Sequence, residues 1–460
     1  MLQRSLLVRL DKKVNRAKGV NDMVASQKRL NTPASPGRRH ARAACISGSV
    51  VAVASIFVVS TSIAGASANN QGAPPAGYSP TVIETAYGIT PLLQRGINGA
   101  GETVLNPEPF TPGSLSLTGN ATDIRQDLAR FDGRYNLPAV SLQIDTSVAG
   151  SSAPYNANYE EVEDVEVLHA VAPKAAIEVV LLPADVTSSG TKFTGAVLDV
   201  VKAAITADAA VVSFSGSFGE HYLTSKNAAE MHDALRDARD HNITFVAASG
   251  DSGSVSDNGP PREVSLPASD PLVLGVGGTT LTANSSSGAY VGEVGWHDPF
   301  GQNASGGGFS TLYRRPAYQD GVHGITSMRG VPDVSADANH KTGMTLVFSN
   351  GSKYMTNPGG GTSASSPLWA GVVALADQSA ARHLGFVNAA LYRIATGSSY
   401  GKAFHDVTTG DNTVSTSKGT VTGYQASRGW DPVTGWGSPN AQVLVPLLDK
   451  AVHPGDGSGL

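Results

Sequence analysis

From Tyr78 onward, short apolar runs alternate with longer segments of helical period. Ala176–Leu182, Ala210–Phe214, Ile243–Ala248 and Leu272–Val276 are continuous and rich in β-branched residues, the pattern of strands buried on both faces. Between them, Phe193–Ile205 and Asn227–Asp240 repeat apolar residues at helical spacing. This alternation predicts an α/β fold, with a largely parallel sheet and helices on both faces. Catalytic groups then gather at the carboxyl ends of the strands. Ala121–Tyr135 predicts another helix, with Ile124, Leu128 and Phe131 on one side. Thr345–Phe348 predicts a strand, and helices are expected from Ser363 to about Ala380 and over 385–396. Asn284–Arg315 is so rich in Gly, Ser and Asn that it reads as loop. No repeat or linker divides the body, so residues 78–450 are expected to form one domain.

Composition changes the picture mainly at the amino terminus. Residues 1–68 hold eleven Lys and Arg against two Asp, a net +9, while the whole chain carries −5. The remainder is therefore at −14, which argues against nucleic acid as a partner. Arg38, Arg39 and Arg42 precede the uncharged apolar run Ala44–Val59, and Ala66-Ser67-Ala68 follows as a small-x-small cleavage pattern. Residues 1–68 thus read as a signal peptide with a long basic n-region, and the protein is expected to be secreted, touching the membrane only in transit. The alternative is an anchor at residues 44–66. Residues 69–77 read as a short linker. Cys45, the single cysteine, lies inside the leader, so no disulfide is expected in the body.

Gly359–Pro367 (GGGTSASSP) is the strongest chemical signal. Three glycines run into Thr362 and Ser363, and the apolar helical pattern Leu368, Trp369, Val372, Val373 and Leu375 follows. A serine at a helix start stands beside free N–H groups and the positive end of the helix dipole, the setting of a nucleophile with an oxyanion site. A bare N-cap in a glycine-rich loop would have the same local sequence.

The base for that serine has three candidates. A subtilisin-type histidine needs a His-Gly-x-His helix, and none of the eleven histidines has that setting. Gly250-Asp251-Ser252-Gly253 suggests a chymotrypsin-type site, but the strand–helix alternation is wrong for a double β-barrel. The third is a carboxyl pair in Tyr159–Pro173 (YEEVEDVEVLHAVAP). Glu160 and Asp164 are four apart and share one helix face, with Val167, Leu168 and Val171 near that side. Two such carboxyls share a proton and can serve as a base at acid pH, where histidine would be protonated. A solvated acidic helix face would give the same run.

The Glu-x-x-x-Asp pair before Leu-His-Ala-Val-Ala-Pro resembles the sedolisin family of serine-carboxyl peptidases. So do Gly-Gly-Thr-Ser-Ala before an apolar helix and Gly250-Asp251-Ser252-Gly253 after a core strand. The resemblance runs from about Tyr78 to Leu448 and implies a subtilisin-like fold and endopeptidase activity on proteins or peptides, by a monomer. It implies Ser363 as nucleophile, Glu160 as its base, Asp164 as the group that orients Glu160 and shares its proton, and Asp251 as a protonated oxyanion donor beside the Ser363 N–H. Glu108 aligns with a supporting strand-end acid, although Asn106-Pro107 is unusual in a central strand. His169 is read as structural.

Phe404–Gly410 and Ser427–Pro439 resemble that family's calcium site. The resemblance implies one structural Ca²⁺, with carboxylates from Asp406 and Asp431 and carbonyls from Val407, Ser427 and Gly429. Ser427 stands where the family has glycine. The family also carries a long prodomain, for which the sequence leaves only Asn69–Gly77. The domain is then expected to fold unaided or to have lost its function. Two rivals remain: a catalytically silent binding protein on this fold, and a neutral serine hydrolase of subtilisin or esterase type.

Overall fold

The computed structural model describes residues 77–109, 123–150, 157–256, 259–298, 301–349 and 353–452. The signal, anchor and linker expectations for residues 1–76 fall outside them. The core is an eight-stranded sheet. Its strands are β1 (Thr103–Pro109), β2 (Leu142–Asp145), β3 (Ala176–Leu182), β4 (Val211–Phe214), β5 (Thr244–Ala248), β6 (Val273–Ala283), β7 (Tyr290–Gly295) and β8 (Val334–Asp337). They lie in the order β8-β6-β5-β4-β1-β3-β2, all parallel, and β7 adds antiparallel to β6.

Alternate strand residues feed two apolar layers. Val104, Val211 and Val246 pack with helices α1 (Tyr159–Val171) and α2 (Gly361–Ala380) on one face. Leu105, Val212 and Phe245 pack with Phe193, Val197 and Leu235 of the helices Gly190–Thr206 and Ser225–Asp240 on the other. The expected doubly covered parallel sheet is what forms.

Asn284–Arg315 is not simply loop. It holds β7 and a second strand, Gly308–Arg314, paired antiparallel with Met328–Val331. The sheet-adding half is a hairpin: β6 runs on to Ala283, and Asn284 Oδ1 accepts the N–H groups of Ser286 and Ser287 to close the turn. Edge position explains why the pattern was hidden, since Val291 and Val294 of β7 face solvent and leave no apolar run. Pro107 is accommodated in central β1 because the ladder to β4 involves only Val104 and Leu105, and Pro107 lies beyond it.

Candidate active site

Helix α1 begins with a reciprocal cap: Asn158 accepts the Glu161 N–H and the Glu161 carboxyl accepts the Asn158 N–H. Its acidic residues form no solvated face. Glu160, Glu161, Glu163, Asp164 and Glu166 are all buried, enclosed between the sheet, α2 and the hairpin Thr345–Pro358. Such burial is tolerated only where each carboxyl is neutral or receives donors.

Asp164 meets the carboxyl end of the sheet. Its Oδ1 accepts the Ser215 hydroxyl at 2.9 Å, just past β4. Its carboxyl also meets Asn106 and Glu108 of β1, whose side chains share a strand face and are joined by a 2.9 Å bond from Asn106 Nδ2 to Glu108 Oε1. Glu108 Oε2 and Asp164 Oδ2 receive no N–H or hydroxyl from the described residues. One proton held between the two acids satisfies both. Burial first, and then Glu108, raise Asp164 well above the ordinary Asp range. Burial first, then the negative charges of Glu161 and Glu160, raise Glu108.

Glu160 lies one helical turn before Asp164 and reaches Ser363 on α2. Burial and then the charge of Asp164 raise its pKa, while the hydrogen bond from the Ser363 hydroxyl lowers it. The Ser215 carbonyl, 3.4 Å from Ser363 Oγ, is a weak competitor for that hydrogen. Among the described residues no histidine is hydrogen-bonded to Ser363.

The glycines before Ser363 have a steric reason. A Cβ on Gly359 would strike the Glu163 carboxyl, one on Gly360 the His340 ring, and one on Gly361 would lie 2.6 Å from Asp251 Oδ2. Gly361 also has φ +79°. The chain then donates three consecutive N–H groups, from Gly360 to Glu163 Oε1 (2.5 Å), Gly361 to the Ala338 carbonyl (2.7 Å) and Thr362 to Asp251 Oδ1 (2.8 Å). No hydrogen bond among the described residues takes the next N–H, that of Ser363. Pro367, inside α2, has no N–H to give the Ser363 carbonyl, and the Ser215 hydroxyl approaches that carbonyl at 3.4 Å.

Asp251, in the turn after β5, is gripped through one oxygen. Oδ1 accepts both the Thr362 N–H and the Thr362 hydroxyl at 2.8 Å, and the Thr362 hydroxyl accepts the Gly250 N–H at 3.0 Å. Burial raises the Asp251 pKa against the lowering effect of those Thr362 bonds and of His340. A proton on Oδ2 would point a donor toward the serine loop.

The structure thus brings Ser363, Glu160, Asp164, Asp251 and Glu108 together. Sequence reasoning missed Ser215, Thr362, Asn106 and Glu163. Ser215 was legible as the first polar residue past a predicted strand, and Thr362 as the neighbour of Ser363. His169 is buried, with Nε2 2.9 Å from Asp132, away from the serine as expected.

The C-terminal loops also converge. Asp406 Oδ1 accepts the Gly429 N–H at 3.0 Å, and Asp431 Oδ2 accepts the Ser427 N–H at 3.0 Å. The carbonyls of Val407, Ser427 and Gly429 take no hydrogen bond among the described residues. Burial pushes Asp431 up to about 6 against the lowering effect of hydrogen bonds from Ser427, Val433 and Thr434. Two carboxylates and three unused carbonyls suit a hard cation.

A serine presented at a helix start above the carboxyl edge of a parallel sheet is the arrangement of subtilases, and a subtilase-family profile matches residues 146–394, more than half of the chain. Within that class the chain belongs to the sedolisin family. It is 32% identical over 397 residues to kumamolisin of Bacillus sp. (strain MN-32), covering 84% of this chain and 66% of that one. It is 31% identical over 386 residues to sedolisin of Pseudomonas sp. (strain 101), covering 79% and 60%. The solved structure of Pseudomonas sedolisin, a serine-carboxyl proteinase complexed with two molecules of pseudo-iodotyrostatin, superposes with a TM-score of 0.66 at 27% identity, covering 81% of this chain and 98% of that one. The chain spans two thirds or less of the length of these curated relatives.

Proposed function

We propose that this protein is a serine-carboxyl endopeptidase that hydrolyses peptide bonds of proteins or peptides at acid pH. The observation that carries the proposal is the Ser363 hydroxyl placed against Glu160 within a buried carboxyl set, where Glu160 Oε1 has no other hydrogen-bond donor among the described residues. In the reaction, Ser363 Oγ attacks the scissile carbonyl carbon and its proton passes to Glu160. Asp164, held by Ser215, Asn106 and Glu108, keeps Glu160 oriented and takes part in holding that proton. The carbonyl oxygen becomes an oxyanion, received by the Ser363 N–H and the protonated Asp251. Glu160 then returns the proton to the leaving amine, and water completes the cycle by the same route in reverse. An ionised Asp251 would repel the oxyanion, and that requirement ties the activity to acid.

Asp406, Asp431 and the carbonyls of Val407, Ser427 and Gly429 would hold one Ca²⁺, which offsets the buried carboxylates and closes the two loops on each other. The basic, then apolar, then Ala-Ser-Ala leader supports export, and the active unit is proposed to be a monomer. The test is cleavage of a denatured protein at about pH 4 and about pH 7.5, with Ser363→Ala as control. Turnover at acid pH that the variant lacks supports the proposal. Turnover at neutral pH alone would refute it.

A further inference from the structure

Glu163 is a buried acid that the mechanism above leaves unused. It follows Glu160 by three residues and precedes Asp164, yet it points at neither β1 nor the Ser363 hydroxyl. Its Oε1 accepts the Gly360 N–H at 2.5 Å, and only the absence of a side chain at Gly359 lets the carboxyl come so close. Gly360 is three residues from the nucleophile and is the N-cap of α2, which makes no side-chain cap of its own.

We propose that Glu163 is a positioning residue: by accepting the Gly360 N–H it fixes the Gly359–Gly361 segment, and with it the place of the Ser363 hydroxyl and N–H. This rests on Ser363 being the nucleophile of the proposed peptidase. Of the three N–H groups that precede Ser363, one is bound to a main-chain carbonyl and one to Asp251, itself assigned to the oxyanion site. Glu163 supplies the remaining anchor, from a helix that also carries the base. Base and nucleophile loop are therefore clamped to each other through one helix turn, and their spacing does not depend on substrate.

The acid serves in its neutral form. Burial first, then the charges of Glu160 and Asp164, raise its pKa well above the usual range, and the Gly360 N–H offsets only part of this. Glu166 on the same helix and Asp251 from the turn after β5 are further acids facing it, Tyr159 is a neutral phenol beside it, and His340 lies across Gly360. A neutral carboxyl keeps its carbonyl acceptor, and glutamine reproduces that shape.

Glu163→Gln and Glu163→Leu in the full chain separate the roles. Each is read by kcat and KM on a quenched fluorescent peptide, by melting temperature, and by amide hydrogen exchange of the peptide containing residues 359–363. For Glu163→Leu the expected result is a kcat loss of about 10- to 100-fold, the cost of a misplaced reacting group, with KM within about twofold. Exchange at the loop should rise about tenfold, because the lost bond contributes on the order of 1.4 kcal/mol. Glu163→Gln should keep kcat within about threefold and parental exchange. Parental kcat and exchange in Glu163→Leu would overturn the inference, as would equal losses in both variants or a kcat loss without faster exchange. If the parent itself cleaves no peptide, the activity reading fails. The exchange comparison then decides this inference alone: faster exchange in Glu163→Leu but not in Glu163→Gln supports it, and equal exchange overturns it.

Discussion

Replacing Asp251 with asparagine isolates the part of the site that makes acid necessary. In the parent, Oδ1 is occupied by the Thr362 N–H and hydroxyl, both at 2.8 Å, so only Oδ2 can carry the proton that an oxyanion would accept. Asparagine keeps a carbonyl for Thr362 and places an NH₂ where Oδ2 stands, a donor that does not titrate. Two effects follow. At about pH 4 the variant should be slower by roughly fivefold, since a neutral amide donor gives up about 1 kcal/mol relative to a bond in which the acid proton moves toward the developing charge. Above the Asp251 pKa, which burial holds above the ordinary 3.8, the parent loses about tenfold per pH unit whereas the variant does not lose from this group. The two profiles should therefore cross, with asparagine the faster near neutrality. Asp251→Ala removes the donor outright and should cost about 100- to 1000-fold at acid pH, where the parent's Asp251 is protonated, on the order of 3–4 kcal/mol, with the deficit shrinking as pH rises. The assay is kcat/KM for a quenched fluorescent peptide from about pH 3 to about pH 8. An asparagine variant whose activity falls at the same alkaline pH as the parent would refute the assignment of Asp251 to the oxyanion.

Ser363→Ala and Glu160→Gln should each abolish more than about 99.9% of kcat with little change in melting temperature, and an active Glu160→Gln would remove the base. A calcium chelator at mildly acid pH should lower the melting temperature by several degrees, an effect that Asp431→Asn should blunt; an unchanged melting curve would count against the cation. Stability should also fall as pH rises. Glu84 is buried and raised by that burial to about 7, so the folded state binds a proton that the unfolded chain releases near 4.5. Its contribution is complete below about pH 4.5, is lost through about pH 7, and is worth about 3 kcal/mol. Glu84→Gln should recover most of that at about pH 7.5 in a urea titration, and a loss of stability there would sink the argument.

The strands that cross the sheet's centre were legible because burial on both faces writes an unbroken β-branched run, as in Ala176–Leu182. The edge strand Tyr290–Gly295 was not, because two of its apolar residues face water and its partner lies immediately upstream. Ser363, Glu160, Asp164 and Asp251 stood out through local spacing that each motif carries by itself. Asn106 did not, because its role exists only once strand ends from different parts of the chain are set side by side, and Ser215 offered no more than its place just past a predicted strand. The burial of all five acids of Tyr159–Val171 was also invisible. A helix with that many charges reads as a solvated face until the hairpin Thr345–Pro358 and helix Gly361–Ala380 close over it.

The order in which the site's parts occur along the chain has a consequence for synthesis. Glu108, Glu160, Asp164, Ser215 and Asp251 all precede Ser363, so a growing chain possesses every acid of the site well before it possesses the proposed nucleophile. The helix that presents the serine is also the one that packs over Tyr159–Val171. A chain stalled or cut upstream of Ser363 therefore lacks the proposed nucleophile.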